Sequence, residues 1–192
     1  MSQEASKEQN PNLNKFQKFF YNYGRFHYNP INIIVHIIFV PLITLTLDRM
    51  IALSAKDFGM TFNPCLILFA ILAPIYIYVD FASGLITSIQ YPLLSFLTKD
   101  IHFSLFGLSD LKTSVILHVF SWIMQFLGHG AFEKRKPALL DNIFLVFNAP
   151  VFVNIELMNF LFKYKDAELE ETKRHIEQDI ALYRKSKGIK SD

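Results

Sequence analysis

Ile31-Asn-Ile-Ile-Val-His36-Ile-Ile-Phe-Val-Pro41-Leu-Ile-Thr-Leu-Thr-Leu47 contains no Lys, Arg, Asp or Glu, and its reading decides the fold. Asn29-Pro30 stands immediately before it. Asparagine as an N-cap, followed by proline at the first helical position, starts a helix here, with a kink expected at Pro41. Residues 61–79 are a second uncharged run, again opened by Asn-Pro and carrying Pro74 inside. Residues 81–97, 114–126 and 143–162 are further apolar runs. Most are about 15–20 residues, at or just below the roughly 20 that cross a bilayer as a straight helix.

Composition agrees. Hydrophobic residues make up 52% of the 192 and charged residues 19%, above and below the averages for soluble chains. Charge is displaced to the ends, above all to residues 163–192. The pattern predicts an all-α polytopic membrane bundle of four to five short, Pro-interrupted helices, flanked by amphipathic terminal helices. A soluble all-α bundle with an unusually apolar core is the alternative. Residues 1–13 are expected to form a disordered polar lead, 14–162 the membrane-embedded helical domain, and 163–192 an amphipathic charged helix. Phe16, Phe19, Phe20 and Tyr23 recur at helical spacing and predict a short helix ending near Gly24. Leu169, Ile176, Ile180 and Tyr183 share one face of the C-terminal helix. The positive-inside rule sets Lys7, Lys15, Lys18, Arg25 and the Lys134-Arg135-Lys136 cluster on the cytoplasmic side.

Other classes are excluded early. A net charge of +2, of mixed sign, gives no footprint for nucleic acid. A single cysteine, Cys65, rules out an intrachain disulfide framework and multi-cysteine metal sites. No HExxH and no phosphate-cradling glycine loop is present.

The polar residues inside apolar helices carry the chemistry, because each must find a partner where there is no water. His118, Gln125 and His129 are separated by about 700° and 1100° of helical rotation, so they form one stripe, which Glu133 extends. His118 and His129 lie about 16 Å apart along the axis and cannot share one ion. They could serve two metals, or one could be a ligand and the other a substrate or supporting group. His27 precedes the Asn29 cap, where the bend could fold it back over the helix start, and His36 lies about two turns inside that helix. Four histidines concentrated in apolar helices point to a metal site, whereas His102 and His175 lie in polar surroundings.

The strings His27-Tyr-Asn-Pro-Ile-Asn-Ile-Ile-Val-His36 with Phe39-Val-Pro41, and Trp122-Ile-Met-Gln-Phe-Leu-Gly-His129 through Phe132-Glu-Lys-Arg-Lys-Pro-Ala-Leu139, resemble two signatures of one family. It is the fungal-type 2-hydroxy fatty acid dioxygenase family. The resemblance covers roughly residues 15–185, in order and spacing. It implies a multipass endoplasmic-reticulum membrane enzyme that uses Fe(2+) and O2 for α-oxidation. A 2-hydroxy fatty acid becomes the acid one carbon shorter, in breakdown of phytosphingosine. It further implies that His27, His36 and His129 ligate the iron, with His118 as a further candidate. Imidazole suits iron, and O2 and the hydroxy acid require an open site. Glu133 is the nearest carboxylate, expected either as a ligand, as an acceptor that orients an imidazole, or as a helix-end partner of Lys134 or Arg135. Gln125 is expected to hydrogen-bond the substrate hydroxyl or the bound oxygen. Lys134 and Arg135 are expected to hold the acyl carboxylate. A non-catalytic membrane scaffold or accessory subunit, and a lipid hydrolase or transferase with another metal, are the competing readings.

Overall fold

The computed structural model describes residues 13–134 and 145–188, and those residues are helical, with no strand among them. Seven α-helices follow in order: α1 (Lys15–Gly24), α2 (Pro30–Asp57), α3 (Cys65–Val79), α4 (Phe81–Thr98), α5 (Asp110–Gly128), α6 (Leu145–Phe162) and α7 (Asp166–Ser186). A π-helical turn, His129–Glu133, continues α5. The five apolar helices and two amphipathic terminal ones are those the sequence predicts. Three of them, α2, α5 with its π turn, and α6, are long and apolar enough to cross a membrane. Their outer faces carry bare aliphatic and aromatic side chains, among them Ile34 and Ile38 on α2 and Val119 and Ile123 on α5. That is the surface lipid would cover.

The expectation of uniformly short helices is corrected at α2, which runs through 28 residues rather than stopping near Leu47. Pro41 removes one backbone donor without ending the helix. Nearby, Thr44 donates to the Val40 carbonyl and Thr46 to that of Leu42. The charges that close the apolar run, Asp48 and Arg49, are themselves buried and partnered, so the helix passes through them. Arg49 pairs with Asp110 at the start of α5 and donates to the carbonyls of Thr98, Lys99 and Ile101. The Asn63 amide donates to Asp48 at 2.7 Å.

These contacts set the topology. Arg49 holds the C-terminal part of α2 to the N-terminus of α5, so α2 and α5 run antiparallel. α3 and α4 form a tight hairpin around Asp80, which caps α4 through Ser83. Gly84 is required there, since a Cβ would collide with the backbone of Tyr76 and Ile77. α6 joins the layers through Asn154, which donates to Thr87 and Gln90 of α4. α1 opens with an Asn14–Gln17 capping box and buries Phe16, Phe20 and Tyr23 against Phe152 of α6 and Leu169 and Ile176 of α7. α7 begins at Asp166, after left-handed Lys163 and Lys165, and its apolar face lies on the body of the protein.

Candidate metal centre

The site grows from the short link between α1 and α2. Asn29 caps α2 by accepting from the Ile31 N–H, and the chain before it turns back so that His27 lies under Tyr23. The two rings stack with centroids 4.2 Å apart. His27 Nδ1 meets the Tyr23 carbonyl at 2.9 Å, and His36 Nδ1 meets the Asn32 carbonyl at 2.9 Å. A carbonyl only accepts, so each Nδ1 carries the proton and each Nε2 presents a lone pair. These two Nε2 atoms face each other at 3.0 Å. Neither has a proton to give, so the pair is not a hydrogen bond between neutral rings. Burial, with His36 and His129 beside it, pushes the His27 pKa well below the ordinary imidazole value, so a proton is not the natural bridge. A cation between two lone pairs is.

His129 arrives from the opposite direction, at the head of the π turn. Its ring centroid lies 4.7 Å from that of His27 and 5.1 Å from that of His36. The Phe26 backbone hydrogen-bonds this ring, while its Nδ1 is buried without a partner. All three histidines are buried, and one nitrogen of each falls within 4.8 Å of the others. Among the described residues these are the only three His, Cys, Asp or Glu groups so clustered. The orphaned nitrogen and the facing lone pairs fit a metal with imidazole ligands. Cis ligands at about 2.1 Å from one ion lie about 3.0 Å apart, the separation of the His27 and His36 nitrogens.

Glu133 locks the two halves together. One carboxylate oxygen accepts from the backbone N–H of Tyr28 at 2.8 Å, that of Asn29 at 2.9 Å, and the Asn32 amide at 2.9 Å. The Tyr28 and Asn29 N–H groups lie just before α2 and have no carbonyl of that helix to bond, and a negative charge is favoured there. The π turn adds a residue to the local repeat and aims both His129 and Glu133 inward. Gly128 lies where α5 meets Asn32 and Val35, and a Cβ there would collide with the Asn32 amide oxygen.

His118 does not join the cluster. Trp122 donates its indole N–H to His118 Nε2 at 3.0 Å, so the remaining proton sits on Nδ1, which meets Thr46 Oγ1 at 2.9 Å. Both nitrogens are engaged within the helix pair, three turns from His129, so the structure does not bring His118 to the other three histidines. Glu133 likewise binds backbone and Asn32 rather than a metal-facing imidazole. Gln125 is 5% exposed, and neither its amide oxygen nor its nitrogen has a partner. It lines the same cavity as the three histidines, about 170 Å³ in volume. Lys134 is exposed, left-handed at φ 52°, and outside the cavity wall, and Arg135 lies outside the described residues. His102 is exposed beside Asp110, and His175 lies partly exposed on α7. The sequence reading missed Asn32, whose carbonyl orients His36 and whose amide reaches Glu133. Its place in the Asn-Pro-Ile-Asn string, one turn before His36, was the available signal.

The chain matches the family model described as "2-hydroxy-palmitic acid dioxygenase Mpo1-like" over residues 13–161. It is 32% identical over 162 residues to 2-hydroxy-palmitic acid dioxygenase MPO1 of Saccharomyces cerevisiae, an alignment covering 83% of this chain and 86% of the yeast protein. No solved structure matches it.

Proposed function

The chain belongs to the Mpo1-like family of dioxygenases, and from that premise we propose that it is an Fe(II)-dependent dioxygenase that shortens 2-hydroxy fatty acids by one carbon. The facing Nε2 lone pairs of His27 and His36, with the orphaned His129 Nδ1 beside them, are the observation that carries this reading. His27, His36 and His129 would hold the ion. Iron would supply the one-electron chemistry through which O2 reacts with a closed-shell acid. An all-nitrogen donor set accepts several metals, and the redox reaction selects among them.

The remaining work falls to side chains of this protein. The Tyr23 and Asn32 carbonyls fix the tautomers of His27 and His36, so their lone pairs are presented without rearrangement. Gln125 offers a donor and an acceptor inside the cavity, fitted to the substrate's hydroxyl and carboxylate. The apolar walls keep water from the reacting carbons. The overall change balances with one O2 per acid. The C1–C2 bond breaks, C1 leaves as CO2, C2 becomes the carboxyl carbon of the shorter acid, and one water forms. O2 accepts the four electrons that the two carbons lose. The proposal extends to the setting the family resemblance implies, phytosphingosine breakdown at the endoplasmic-reticulum membrane.

A scaffold role fits less well, since packing alone gives no reason to bury opposed lone pairs and an unpaired amide. The test is purified protein with Fe(II), O2 and 2-hydroxypalmitic acid, followed by metal analysis, oxygen uptake and product mass. Wild type and His118→Gln are expected to carry iron and release the acid one carbon shorter, and His129→Ala to do neither. Wild-type protein that binds no metal and consumes no oxygen would overturn the proposal.

A further inference from the structure

The cavity extends well past the histidines. On α2 its wall is His36, Val40, Ile43, Thr44 and Leu47, and on α5 it is His129, Gln125, Trp122 and His118. These are single faces of two antiparallel helices, each spanning eleven residue steps, or about 16 Å of helix axis. Beyond Gln125 the polar atoms on α2 and α5 are turned to backbone or to one another. His118 is held by Thr46 and Trp122, and the Thr44 hydroxyl by the Val40 carbonyl. At the Leu47 end the lining includes the buried Cys65, Phe69 and Tyr91, with Ile51 and Leu68 packed on them. The level of this floor is fixed by the Asn63 amide on Asp48, next to the Arg49–Asp110 lock.

We propose that this cavity is a ruler for the acyl chain, with Cys65, Phe69 and Tyr91 as the floor that sets the preferred length. The inference rests on the reading of the three histidines as the reacting centre. Carbon–carbon bonds of about 1.5 Å at tetrahedral angles advance an extended chain by about 1.25 Å each, so about 16 Å holds about 13 bonds. With C1 at the histidines, those 13 bonds fit a 2-hydroxy acid of about fourteen carbons. The yeast relative is named for 2-hydroxy-palmitic acid, about two carbons longer than this span. A chain that overruns the floor must bend or displace packed side chains. Discrimination per methylene in such pockets reaches about ten-fold or more.

Two variants test it, Cys65→Phe at the floor and Thr44→Phe higher on the wall. A phenyl ring reaches about 2.5 Å farther than a thiol, so Cys65→Phe should lower the optimum by about two carbons. Thr44→Phe should lower it further. The full chain in detergent is assayed on 2-hydroxy acids from about ten to about twenty-two carbons, with kcat/KM read for each length. Binding is read independently. Trp122 is the one tryptophan of the chain and lines the cavity, so quenching by unreactive brominated fatty acids of the same lengths reports occupancy. An optimum that shortens from wild type to Cys65→Phe to Thr44→Phe, in turnover or in quenching, supports the ruler. Length-independent quenching, or an unchanged length profile in either folded variant, overturns it. Length-dependent quenching without turnover on any acid leaves the ruler standing and sinks the dioxygenase reading.

Discussion

Replacing Gly128 by alanine should damage the metal centre, while the same change two residues on at Gly130 should not. A Cβ at Gly128 would sit well inside 3.0 Å of the Asn32 amide oxygen and 3.5 Å from Val35 Cγ1, whereas nothing lies within 4 Å of a Cβ at Gly130. Asn32 cannot swing aside cheaply, because it is fully buried and its amide is held by Glu133. Overpacking costs about 1–3 kcal/mol, and losing the charge-assisted Asn32–Glu133 bond about 1.5–3 kcal/mol. Alanine returns about 1 kcal/mol of helix propensity at either site. The net expectation is a loss of about 3 kcal/mol for Gly128→Ala and no loss for Gly130→Ala. The clash also forces α5 away from α2 beside His129. Metal–ligand distances tolerate only about 0.2 Å, and a misplacement of about 1 Å costs about a hundred-fold in rate. Thermal unfolding in detergent, metal content after dialysis and turnover of 2-hydroxypalmitic acid together read the outcome. Equal stability, metal content and turnover in the two variants would refute the claim that close approach of α2 and α5 assembles the site.

Other perturbations probe other parts. Gln125→Leu should keep the metal but lower turnover about ten-fold or more, since it deletes the unpaired amide facing the cavity, and loss of metal instead would make Gln125 structural. Chelation should lower thermal stability, because opposed lone pairs repel once the bridging ion is gone, and Fe(II) should restore it in wild type but not in His36→Ala. Arg49→Ala strands Asp110 and should cost about 3–5 kcal/mol, while Arg49→Met with Asp110→Leu should recover most of it in a denaturation series. Burial pushes the Asp80 carboxyl up, yet hydrogen bonds from Lys165, Ser83 and Tyr164 outweigh this and hold its pKa below the usual value. The unfolded chain therefore takes up the proton first as pH falls. Stability from Asp80 should be full above about pH 4 and lost below it, and Asp80→Asn should flatten that limb of the pH–stability curve.

The helices were legible because lipid-facing surface leaves a plain mark, long uncharged runs punctuated by Asn-Pro caps at residues 29–30 and 63–64. Where charge reappears the mark misleads. Asp48 and Arg49 read as a helix end, and only their partners at Asn63 and Asp110, remote in sequence, show that α2 continues through them. The same division runs through the site. Helical rotation separated His118 from His129 without any structure, and the bend at Asn29-Pro30 left His27 free to fold back. The π turn was not legible, since a one-residue widening of the repeat has no residue signature in His129-Gly-Ala-Phe-Glu133. From the sequence Glu133 is therefore a weaker candidate for an ion than for an imidazole's acceptor or a helix-end partner of Lys134 or Arg135.

What spacing cannot contain is the meeting of two local facts. His36 lies four residues after Asn32 and His27 four after Tyr23, and in each case the ring donates to the carbonyl at that offset. Each tautomer is thus a local consequence of helical or near-helical backbone, written in the sequence. That the two resulting lone pairs point at one another depends on the chain reversal between Gly24 and Pro30. That reversal is secured by Glu133, remote in sequence, through Tyr28, Asn29 and Asn32. The carboxylate that sequence reasoning offered as a ligand thus acts one step back from the three histidines. It draws the start of α2 to the end of α5, so that three separately placed imidazoles meet.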